Sequence, residues 1–148
     1  AGLRDHSIRL IDVESGQQLL SLGGHTDQVR SVVFSQAGTR CLSGSLDGTI
    51  RLWDLVTGET LHEFHPDLGA INTAIFGPGE TSILTGGQHH SFVMLNIHNG
   101  QLLARFTGHS EPIAALALGP SEAVLSGSHD ATMRRWPIPA AALTDLRQ

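Results

Sequence analysis

Gly16, Gly58 and Gly100 stand 42 residues apart, and so do Val29, Ile71 and Ile113. Phe34, Phe76 and Leu118 keep the same interval, as do Ile11, Trp53 and Leu95, with Trp136 following after 41. Asp5, Asp47, His89 and Asp130 mark one further position of the same frame. Self-similarity at roughly 40–45 residues is the mark of a unit built from four short strands. Such a unit cannot bury both faces alone and must stack against copies of itself. The chain of 148 residues holds about three and a half units. The frame divides it into the outer strands of a partial unit at 1–22, a unit at 23–64, an irregular unit at 65–106, and a unit at 107–148 whose last strand is not legible.

The unit from residue 23 is the clearest. VRSVVF, RCLSGS, IRLWDL and TLHEF read as strands, separated by SQAGT, LDGT and VTGE. A DG between strand-like runs favours a hairpin, because glycine tolerates positive φ without steric cost. IRLWDL alternates apolar and polar, and Ile50, Leu52 and Leu55 are expected to share burial. INTAIF, TSILTGG, FVMLNI and QLLARF repeat the plan, followed by IAALAL, AVLSGS and TMRRWPI. HSIRLID and QQLLSL match only the third and fourth strands of a unit. Residues 139–148 have high helix propensity and follow Pro137, so they make a poor fourth strand. Turn residues interrupt every other apolar run, which excludes helices elsewhere.

Composition narrows the possible functions. The single cysteine, Cys41, excludes an internal disulfide and a CxxC metal site. Within TRCLSGS it reads as a small buried hydrophobe, and a reducing cytoplasmic or nuclear setting is expected. The net charge is −5, and all nine basic residues are scattered arginines. Direct nucleic-acid binding needs clustered cations, so it is not expected. No apolar run approaches the roughly 20 residues of a membrane helix, and no secretory signal opens the sequence. His62, His65, His89, His90 and His98 fall on separate strands and turns, whereas zinc needs three or four converging ligands. No metal or other cofactor is expected, and no P-loop pattern occurs.

GH at 24–25 with Asp47 and WD at 53–54 resembles the WD40 repeat, and GH at 108–109 with Asp130 and Trp136 repeats it. The resemblance runs from residue 3 to about 138. It implies an all-β fold, a β-propeller of four-stranded antiparallel blades, present here as an incomplete ring. It also implies a buried hydrogen-bonded tetrad in a regular blade: His25, Ser43, Asp47 and Trp53 in one, His109, Ser126, Asp130 and Trp136 in another. The irregular unit has Asp67, Thr85, His89 and Leu95 at those places. It is therefore expected to hold by apolar packing of Ile71, Ile75, Ile83, Leu84, Val93 and Leu95, and to be the least rigid of the three.

Ser, His and Asp also make nucleophilic triads. Here the set recurs in two units and no G-x-S-x-G elbow occurs, so it reads as structural and no catalytic residue is expected. The resemblance implies a non-enzymatic protein-protein interaction scaffold within a multiprotein assembly, completed by further blades of the same polypeptide. The alternatives are an accessory domain of a larger multidomain regulatory protein or ATPase, and a ubiquitin-ligase substrate receptor. Receptors of the last kind typically carry Arg two residues beyond the WD dipeptide, where this chain has Val56. Partner contacts in the family often come from the channel mouth. The matching positions here are Arg4, Leu46, Gln88 and His129 in turns, and Arg30, Asn72 and Ala114 on innermost strands. Arginine at a mouth on an acidic body would suit an acidic peptide segment.

Overall fold

The structure is a computed structural model that describes residues 6–66, 68–119 and 123–138. Among the described residues thirteen strands form four antiparallel sheets. β1 (Ile8–Ile11) pairs with β2 (Gln18–Leu22). The second sheet runs β3 (Val29–Phe34), β4 (Arg40–Ser45), β5 (Ile50–Asp54), β6 (Thr60–Phe64) in spatial order. The third repeats that order with β7 (Ile71–Phe76), β8 (Ser82–Gly87), β9 (Phe92–Asn96) and β10 (Leu102–Phe106). The fourth has β11 (Ile113–Gly119), β12 (Ala123–Ser128) and β13 (Met133–Pro137). The first strands of successive sheets lie together, β3 against β7 and β7 against β11. The molecule is thus all-β, a run of incomplete and complete propeller-type blades with no closed ring. The expected fourth strand after Pro137 falls outside the described residues.

Short side chains set the hairpins. Asp12, Asp54 and Asn96 each accept, through Oδ1, the N–H of the residue two ahead. The same residues accept the N–H of Gly16, Gly58 and Gly100 on their carbonyls. This is an Asx turn, in which a side chain imitates a backbone bend. It returns the chain from the third strand of a sheet into the fourth.

The cores lie between sheets. Ile8 and Leu22 meet Val29, Cys41 and Trp53. Leu42, Ile50, Leu52 and Phe64 meet Ile71, Ile83, Val93 and Leu95. Leu84, Phe92, Met94 and Phe106 meet Ile113, Leu116 and Val124. Leu55 is half-buried and packs with Trp53 on the face opposite Ile50 and Leu52. The two-residue alternation of the strand gives this, because Leu55 is two residues from Trp53 and three from Leu52.

Successive sheets approach closely at glycine. A Cβ on Gly44 would lie 2.6 Å from Ile71 Cγ2, and one on Gly86 would lie 2.8 Å from Ile113 Cγ2. Burial in the irregular third sheet is deep. All six residues of β8 are buried, and Ile71, Ala74, Ile83, Leu84, Phe92, Val93 and Met94 are wholly covered. Position in the stack explains this, because that sheet has a core on each face. Ser31 ties it to the second sheet through the Ala74 backbone at 3.2 Å, and Asn72 ties it to the fourth through the Ile113 carbonyl at 2.9 Å.

Candidate functional site

Two side-chain chains of identical geometry cross the second and fourth sheets. Trp53 Nε1–H donates to Ser43 Oγ at 2.8 Å, and Ser43 Oγ lies 2.7 Å from His25 Nε2. His25 Nδ1 lies 3.0 Å from Asp47 Oδ2. An indole can only donate, so the Ser43 hydroxyl must turn its hydrogen to His25 Nε2. The Nδ1–H then points at the carboxylate, and every polar group in the series is used. In the fourth sheet Trp136 meets Ser126 at 2.7 Å, Ser126 meets His109 at 2.6 Å, and His109 meets Asp130 at 2.9 Å.

A second layer of donors holds each carboxylate. Asp47 accepts from the Thr26 N–H at 3.0 Å, the Thr49 N–H at 2.8 Å and the Thr49 hydroxyl at 2.6 Å. Burial alone would raise its pKa. The bonds from Thr49, Thr26 and His25 outweigh burial and hold Asp47 down at about 2. The Thr132 hydroxyl leads the same set on Asp130, keeping that group well below the usual carboxylate range. Burial lowers the pKa of His25, and Asp47 opposes that shift without overcoming it. The neutral imidazole is the state that the Ser43 hydrogen bond requires. Sequence reading missed these threonines, although the repeated D-x-T at 47–49 and 130–132 carried the signal.

This arrangement disfavours nucleophilic chemistry. Ser43 is wholly buried, and its hydroxyl already holds both an indole and an imidazole. In the irregular sheet the Thr85 hydroxyl donates to the Thr73 carbonyl at 3.0 Å, while His89 is exposed. Asp67 lies outside the described residues.

The turn positions gather on one face. Leu46, Gln88 and His129 each donate their N–H to a carbonyl just before an innermost strand, those of Gln28, Ala70 and Pro112. These ties set Leu46 close to Arg30, Gln88 close to Asn72, and His129 close to Ala114. Arg30, Gln88, Ala114 and His129 are exposed, and Leu46 is half-buried. Asn72 is half-buried, and its amide donates one N–H to the Ile113 carbonyl of the neighbouring sheet. Arg4 lies outside the described residues. A cleft of about 380 Å³ is lined by Gln88, His89, His90, Ser91, Thr107 and His109.

Among the described residues no group of three or more His, Cys, Asp or Glu could hold a metal ion. His62 instead packs on Phe64 with ring centroids 4.3 Å apart, and His65 lies 3.8 Å from Glu63. Burial pushes the Cys41 thiol up to about 11, which leaves it protonated and unreactive at neutral pH.

Comparison with protein families matches residues 16–54 and 100–137 to the WD domain, G-beta repeat, or WD40. Together the two matches cover just over half of the chain. Each begins in the turn just before the outer strand of one sheet and ends in the third strand of the next, so each spans one sheet junction and contains one full tetrad.

Proposed function

The chain belongs to the WD40 family, and on that premise we propose that it is a non-enzymatic interaction scaffold whose turn-bearing face receives another protein. WD40 repeats are generally protein-protein interaction modules. The observation that carries the reading is a division of labour among side chains. The Ser, His and Asp groups able to do chemistry are spent inside the tetrads, whereas Arg30, Gln88 and His129 are presented outward on one face.

The partner we infer is an acidic segment of a protein in the same assembly. Arg30 would meet it on a body whose net charge is −5, and such contrast steers encounter and fixes orientation. Neither tryptophan is free to act as an anchor, since both indoles are bound to serines. Binding at this face should therefore be modest and salt-sensitive. Further blades of the same polypeptide complete the proposal, as does a reducing cytoplasmic or nuclear setting that suits the lone Cys41. A pull-down with Arg30→Glu tests the reading: reduced recovery of the partner is expected, and unchanged recovery of every partner would overturn it.

A further inference from the structure

The turn from β9 into β10 carries a chemical group that its two copies lack. Gln17 donates its N–H to Ser15 Oγ at 3.2 Å, Glu59 to Thr57 Oγ1 at 3.3 Å, and Gln101 to Asn99 Oδ1 at 2.8 Å. A left-handed glycine follows in each case, Gly16 at φ 72°, Gly58 at φ 80° and Gly100 at φ 74°. Two copies therefore present a hydroxyl at this place, and the third presents a carboxamide beside glycine. Without a Cβ, glycine leaves its backbone nitrogen open to the preceding side chain.

That pairing permits ring closure. The Gly100 nitrogen forms a bond to Asn99 Cγ, its proton passes through water to Nδ2, and the Cγ–Nδ2 bond breaks to release ammonia. Water then opens the five-membered imide. Breaking the bond from the Gly100 nitrogen to Cγ leaves aspartate. Breaking its bond to the Asn99 carbonyl carbon leaves isoaspartate, whose main chain runs through Cβ and Cγ and is one carbon longer. Water is the sole co-reactant, and neither step is a redox change.

Asn99 is exposed, so water reaches it. The bond from the Gln101 N–H draws electron density from the side-chain carbonyl and makes Cγ a better electrophile. The fold also supplies a brake, because the Gly100 N–H donates to the Asn96 carbonyl at 2.8 Å and must be freed by local opening of the turn. The other two asparagines are poorer candidates. Asn72 precedes Thr73 and its amide is bound to the Ile113 carbonyl, while Asn96 precedes the buried Ile97. Branching at Cβ crowds the nitrogen of both following residues.

We propose that Asn99–Gly100 is a site of spontaneous deamidation in the folded protein, and that its isoaspartate product loosens the joint between the second and third sheets. Gly100 lies against β6: a Cβ on it would stand 3.4 Å from Phe64 Cδ1 and 3.8 Å from His62 Nε2. Phe64 belongs to the core between these sheets. An added main-chain carbon displaces Gly100 from that seat. Neither the tetrads nor Arg30 takes part, so failure here would leave the interaction reading untouched.

The test ages the full protein in warm, mildly alkaline buffer beside a free peptide of residues 95–103, LNIHNGQLL. Peptide mapping by mass, with enzymatic methylation to mark isoaspartate, follows each asparagine. Asn99 should convert about ten-fold or more faster than Asn72 and Asn96, and more slowly than in the free peptide. Ageing should lower the thermal midpoint by about 2 °C or more. Asn99→Ser, which restores the residue type of Ser15, should show no loss on ageing, and fresh Asn99→Asp should keep the original midpoint. An intact Asn99 under conditions that convert the peptide would overturn the proposal. So would equal conversion at all three asparagines, which would mark reaction through the unfolded chain. An unchanged midpoint after conversion, or an equal loss in fresh Asn99→Asp, would refute the loosening by a longer main chain.

Discussion

At the scale of single residues, stability follows how fully each polar atom is used. Asp47→Ala removes the acceptor for His25, Thr26 and Thr49, and should cost about 1–3 kcal/mol in thermal unfolding. His89→Ala, at the same frame position but exposed, should cost less than about 0.5 kcal/mol. Acid should act in two steps. The fold favours neutral His25, so that contribution is complete above its ordinary value of 6.5 and is lost as pH falls below it. The fold favours ionised Asp47, so that contribution is complete above 3.8 and is lost as pH falls toward about 2. Urea midpoints measured from pH 7 downward should show both losses, and His25→Gln should flatten the upper one. Ala131 offers the opposite effect. It holds φ 69° in a turn where Gly48 holds φ 86°, and left-handed backbone costs a non-glycine residue about 1 kcal/mol or more. Ala131→Gly should therefore raise the unfolding midpoint, and a lower one would show that the turn carries no strain.

At the scale of strands and sheets, glycine marks where one blade seats on the next. Gly44→Ala and Gly86→Ala would drive a methyl into Ile71 and Ile113, at about 1–3 kcal/mol each by chemical denaturation. Gly127, the matching residue of β12, has nothing within 4 Å of an added Cβ. Gly127→Ala should therefore be close to neutral in this chain, and a cost equal to that of Gly44→Ala would refute the seating argument. Most strands were legible in the sequence because Gly, Asp, Asn and Ser punctuate every apolar run, and those residues do form the turns. The deep cover of the third sheet was not legible. The sequence showed that His89 and Leu95 break the tetrad, but a missing network is local, and cover on two faces depends on stacking. The face on which Leu55 packs follows from the alternation that sets it with Trp53. The bond from Asn72 to Ile113 was hidden too, because it joins residues 41 apart.

At the scale of the molecule, structure and recognition use different residues. The tetrads join the strands of a sheet, the cores join sheet to sheet, and the exposed turn residues are tied to innermost strands on one face. The outward face of the fourth sheet differs from its predecessors. Where Leu52 and Met94 are buried against a following sheet, Arg135 is exposed, so any neighbour on that face must tolerate or neutralise a cation. The family was legible from GH, the repeated Asp and WD, whereas the identity of a partner was not, because recognition rests on a few exposed side chains that carry no periodic signal. The most direct measurement is a side-by-side comparison of Arg30→Glu and Ser43→Ala in the full protein, scoring partner recovery and unfolding midpoint together. Arg30→Glu should lose partner with its midpoint unchanged. Ser43→Ala should lower the midpoint, because the Trp53 indole and His25 are left unpaired, and should keep partner recovery per folded molecule. Full recovery with Arg30→Glu, or loss of partner by well-folded Ser43→Ala, would contradict that division.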